Sequence, residues 1–89
     1  MTDSDIRAVF AEAYNGKTNF LTPYIIGYGK RGRLVWELSK GKGLFPGTQL
    51  YGVTVIELPR TKRPDLSNAF SSEEEARGYI RQDFGALTT

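Results

Sequence analysis

At 89 residues the chain has room for one hydrophobic core and no second domain. Hydrophobic residues make up 39% and charged residues 25%, which excludes a disordered polymer, and no apolar run approaches the ~20 residues of a membrane span. The net charge is +2, and the absence of both cysteine and histidine removes disulfides, thiolate chemistry, the commonest general base and the commonest metal ligand.

The acidic start Met1-Thr2-Asp3-Ser4-Asp5 leads into no apolar segment, so a secretory signal is not expected, and a reducing cytoplasm fits the lack of cysteine. A first helix is predicted from Asp3 to Asn15. Ile6, Val9, Phe10, Ala13 and Tyr14 fall at i, i+3, i+4, i+7 and i+8, one apolar stripe. Thr2 or Ser4 can cap its start, and Asn15-Gly16 suits its end. Lys17 to Pro23 reads as a connection with Phe20 and Leu21 tucked against the core.

Three strands follow. The first spans about Tyr24–Gly29, with Gly29-Lys30-Arg31-Gly32 turning the chain into a second at Arg33–Ser39, where Leu34, Trp36 and Leu38 alternate with Val35 and Glu37. Lys40 to Gln49 is a loop in which Pro46-Gly47 fits the centre of a type II turn. The third strand, Leu50–Leu58, contains the continuous run Val53-Thr54-Val55-Ile56. Pro59 ends it, and Arg60 to Ala69 reads as irregular.

The last helix begins at Ser71 or Ser72, each with a glutamate three residues on, and Phe70 lies just upstream as a hydrophobic staple. Ala76, Tyr79, Ile80 and Phe84 form its stripe, Gly85 stops it, and residues 85–89 read as a loose tail. The expectation is a single α+β domain over residues 1–89: a two-layer α-β-β-β-α arrangement, its three-stranded antiparallel meander covered on one face by two helices.

Charge is unevenly spread. Lys30, Arg31, Arg33, Lys40, Lys42, Arg60, Lys62 and Arg63 stand against Glu37 and Glu57 in the middle of the chain, while the remainder holds four basic and eight acidic residues. In a meander the first turn and the exit from strand three share one end. Lys30, Arg31, Arg33, Arg60, Lys62 and Arg63 should therefore converge there, with Tyr28 nearby to stack, on an acidic protein surface or on phosphates. A second candidate surface is apolar. If Glu57 faces water, Tyr51, Val53 and Val55 share its side, beside Val35. A bare sheet face of this kind, with strand three at the sheet edge, would suit a partner protein or a homodimer.

Other motifs carry less. Gly27-Tyr28-Gly29-Lys30-Arg31-Gly32 spells G-x-G-x-x-G, but a strand and not a helix follows, so no dinucleotide fingerprint is present. The pattern also suits a kinase glycine-rich loop, yet no catalytic-loop or metal-binding signature accompanies it. The α-β-β-β-α order resembles that of double-stranded-RNA-binding domains. Their basic second-helix start is replaced here by Glu73-Glu74-Glu75, so that binding mode does not transfer. Glu37 and Glu57 could act as a carboxylate pair only if the register of strands two and three brought them together.

The run Trp36-Glu37-Leu38-Ser39 with Gly41 and Gly43, then Leu50-Tyr51-Gly52-Val53-Thr54-Val55, then Asp65-Leu66-Ser67 with Phe70 and Glu74-Glu75-Ala76, resembles small accessory proteins of actinobacterial phages, including mycobacteriophage-like ones. The resemblance covers roughly the last two-thirds of the chain. It implies an accessory protein of the infected host's cytoplasm and brings no catalytic residue with it. The expected function is a non-enzymatic binding module, monomer or homodimer. It would engage a host protein through the basic sheet end or the bare sheet face, with no cofactor, metal or membrane involved. Nucleic-acid binding through the basic hairpin and the loop after strand three is the alternative.

Overall fold

The computed structural model describes residues 2–14, 21–59 and 66–86. The elements run α1 (Asp3–Ala13), β1 (Tyr24–Arg31), β2 (Leu34–Lys42), β3 (Gln49–Glu57), β4 (Leu66–Phe70), α2 (Glu73–Arg81) and α3 (Asp83–Ala86). The strands form one antiparallel sheet in the order β1-β2-β3-β4. The protein is thus an α+β meander with helices packed on its sheet.

The sheet has four strands where the sequence suggested three. Leu66–Phe70 pairs with β3 through Tyr51↔Phe70, Val53↔Asn68 and Val55↔Leu66. β3 is therefore interior, not an edge open to a dimer. Its side chains from Gly52 to Ile56 are all buried. The unbroken run Val53-Thr54-Val55-Ile56 follows from this, because a strand covered on both faces does not alternate.

The two main helices lie on opposite faces, not together on one. Leu38, Val53 and Val55 form a core with Ala76, Ile80 and Phe84, with Leu34, Trp36, Leu66, Phe70 and Tyr79 packed around it. Val35 and Ile56 point the other way and meet Ile6 and Phe10 of α1, with Tyr28 and Leu58 alongside. Antiparallel partners share a face, so Trp36↔Val55 and Val35↔Ile56 mark the two sides. The result is three layers: α1, the sheet, then α2 with α3. Each fully buried large apolar side chain in these cores contributes roughly 1.5–3 kcal/mol.

Local chemistry sets the element ends. Thr2 caps α1, its hydroxyl accepting from the Asp5 amide while the Asp5 carboxylate accepts from the Thr2 amide at 2.8 Å. Ser72 caps α2 by accepting from the Glu75 amide at 3.1 Å, while Ser71 Oγ donates to the Glu75 carboxylate. α2 stops at Arg81, earlier than the stripe to Phe84 suggested. Asp83 and Phe84 take φ of 53° and 59°, which breaks the right-handed helix while Phe84 stays buried. The first turn is tighter than expected, with Arg31↔Leu34 enclosing Gly32-Arg33, and Gly32 takes φ 61°. Pro46-Gly47 makes the predicted turn: Gly47 has φ 79°, and the Thr48 amide donates to Phe45 O at 3.1 Å.

Two close approaches fix β2 in place. The Trp36 indole lies against Gly29, where a methyl group would collide with the ring. Gly41 lies under the Leu21 carbonyl, and beside it Ser39 Oγ donates to Thr22 Oγ1 at 2.7 Å, all of Ser39 and Thr22 being buried. Leu21 itself turns outward, 61% exposed, against the expectation that it tucks inward; Phe20 lies outside the described residues.

Candidate functional site

The hairpin of β1 and β2 ends at Lys30, Arg31, Gly32 and Arg33, and the register fixes where each cation goes. Lys30 pairs with Val35 and so lies on the α1 face; Arg31 pairs with Leu34 and lies on the α2 face; Arg33 occupies the turn. All three are exposed. Arg31 is nevertheless held: its Nη1 donates to the Ile80 carbonyl and to Asp83 Oδ1, each at 2.6 Å, and its guanidinium sits 5.7 Å from the centre of the Phe84 ring. It thus satisfies a carbonyl in the last turn of α2, where a cation also suits the helix dipole. Arg81, also exposed, lies in that same turn. Arg60, Lys62 and Arg63, expected at this end, lie outside the described residues.

Tyr28 is not a stacking platform beside these cations. It is half-buried under α1, its ring 5.9 Å from that of Phe10, and it hydrogen-bonds Glu37. Tyr14 donates to Glu37 Oε1 at 3.4 Å. Glu37, 2% exposed, thus lies beneath a cluster of Phe10, Tyr14 and Tyr28. Burial pushes its carboxyl above the usual range, opposed by the two tyrosine hydroxyls, and burial beside Glu37 likewise pushes the Tyr28 phenol up. Glu37 pairs with Thr54 and Glu57 with Leu34, so the two carboxylates lie on opposite faces and form no pair. Among the described residues no group of three or more histidine, cysteine, aspartate or glutamate side chains could hold a metal. Among them, too, no helix is long and apolar enough to cross a membrane.

The expected apolar patch does not form. Tyr51, Val53, Val55 and Glu57 do share one face, but α2 packs on it, leaving Val53 at 0% and Val55 at 3% exposure. Val35, 0% exposed, lies on the other side under α1. Tyr51 is half-buried, its hydroxyl donating to Gln49 Oε1 at 2.6 Å.

The large apolar side chains that are exposed gather at the opposite end of the sheet from the cationic turn. Leu44 is 95% and Phe45 72% exposed on the β2–β3 turn, with Tyr24, Ile25 and Leu21 beside the start of β1. Lys40 and Lys42, two residues apart on β2, share one face there and line an open groove of about 280 Å³ with Tyr24, Thr48 and Gln49. The signal for this surface was the pair Leu44-Phe45 set between Gly43 and Pro46-Gly47, apolar residues in a turn that cannot bury them. No family model, no curated protein and no solved structure matches the chain.

Proposed function

We propose that the protein is a non-enzymatic binding module that engages an acidic surface on a partner protein through the cationic end of its sheet. In the setting that the phage resemblance implies, the partner belongs to the infected cell. The observation that carries this reading is the placement of Arg31, held by Ile80 and Asp83 between the exposed Lys30 and Arg33. A cation fixed in advance loses less freedom when a carboxylate arrives. Among the described residues the buried carboxyl with a raised pKa is Glu37, and its closure beneath α1, 2% exposed, supports the non-enzymatic part.

A second reading, nucleic-acid binding through the same end, draws on the same charges. The cations emerge on both faces and at the tip of one hairpin, a shape that could follow a phosphate backbone. One pair of experiments separates the two. Wild type and a K30E/R33E variant, with Arg31 left intact, are used to capture proteins from the host cell and are titrated with duplex DNA, single-stranded DNA and RNA. A discrete host protein retained by wild type and lost by the variant supports the first reading. Nucleic-acid binding that falls steeply between about 50 and 200 mM salt and disappears in the variant replaces it with the second. If wild type retains no host protein and binds no nucleic acid, both readings fall.

A further inference from the structure

The end of the sheet remote from the cationic turn carries its own partner chemistry. The register aligns Tyr24, Lys40, Tyr51 and Phe70 in one row across the four strands. α2 begins three residues after Phe70, so Glu73, Glu74 and Glu75 lie at this same end, over the face that bears Lys40 and Lys42. The exposed tip of Leu44 and Phe45 projects beyond them. One end of the molecule therefore holds a lysine-lined groove, a run of carboxylates and a protruding apolar tip. Among the described residues no carboxylate lines the groove.

We infer that this end binds a second copy of the chain in a two-fold symmetric dimer. A two-fold interface uses the same patch on both subunits, so the patch must contain its own complement. Here it does. The groove formed by Lys40 and Lys42 receives Glu74 at the start of the partner's α2, the reciprocal pair forms across the axis, and the two Leu44-Phe45 tips pack between them. Burying the tips removes from water the most exposed large apolar side chains described, a gain that matters in a chain small enough to have two thin cores. The inference is independent of the proposed cationic binding surface, which a dimer of this kind leaves free on both subunits.

Sedimentation equilibrium tests it. Wild type is expected at twice the chain mass of 10.0 kDa, and F45S at the single mass with an unchanged circular dichroism spectrum. K42E and E74K, both at exposed positions, should each weaken the dimer at least about tenfold. Mixed one to one, these two chains should recover a heterodimer, because every reversed charge then faces its opposite. A wild-type chain that stays at the single mass up to about 1 mM overturns the inference and leaves this end to a different protein. A dimer indifferent to F45S, or single reversals that fail to recombine, overturns it equally.

Discussion

Glu37 is held where its charge is costly. The folded chain keeps its carboxyl above the ordinary value of 4.5, because burial outweighs the Tyr14 and Tyr28 hydroxyls. Between the unfolded and folded values the native state binds more proton than the unfolded state, so stability falls as pH rises through that window. Glu37→Gln keeps an acceptor for the tyrosines and has no charge to bury. It should melt above wild type near pH 7, and the difference should shrink towards about pH 4, as read from thermal denaturation across pH. Asp5 acts with the opposite sign. The Thr2 amide and hydroxyl hold its carboxyl below the usual range, so its support for the start of α1 is present at neutral pH and fades in acid. The Thr2 cap was legible in the sequence as a residue type at a spacing. The Glu37 pocket was not, because an alternating strand places a glutamate outside the core unless a helix covers the second face.

At the scale of elements, the glycines of the sheet separate two kinds of position. A methyl group at Gly41 would meet the Leu21 carbonyl, a backbone atom that cannot swing away, whereas one at Gly27 would meet nothing within 4 Å. Gly41→Ala is expected to cost about 1–3 kcal/mol and Gly27→Ala to change stability by less than about 0.5 kcal/mol, as measured by urea unfolding. The helix starts were readable to within a residue, because stripe and cap agree: α1 starts at Asp3 as expected and Ser72 caps α2, whereas α2 ends at Arg81 and not at the expected Gly85 stop. β4 was not. Leu66-Ser67-Asn68-Ala69-Phe70 has no β-branched residue, and the position facing α2 between Leu66 and Phe70 is Asn68, which donates to the Tyr79 hydroxyl at 2.8 Å. A polar side chain satisfied by a tertiary partner erased the apolar alternation that would have marked the strand. The same omission made β3 look like an edge, while its valines looked like a free surface because both helices were expected on one face and α2 in fact covers them.

For the whole molecule, the sheet divides the interior into two cores that share strands but not contacts between Ile80 and Ile6. Ile80→Val and Ile6→Val should each cost about 0.5–1.5 kcal/mol, and the double variant should lose their sum within about 0.5 kcal/mol. A larger discrepancy in denaturant unfolding would mean that the two layers communicate through the sheet. The sequence showed the direction of charge, basic in the middle and acidic at the flanks, but not its destination. Arg31 was legible as a cation, and only the fold shows it spanning to α2.

That span has a consequence for the order of assembly. The bonds of Arg31 to Ile80 and Asp83 join residues 49 and 52 positions apart, so the entropy of closing a long loop is met before either forms. A peptide of the first hairpin alone would carry Lys30, Arg31 and Arg33 without holding the middle one in place. On a ribosome, the cationic end would take its final form only after the last helix has emerged, so the binding proposed for it would begin only once synthesis has run through that helix.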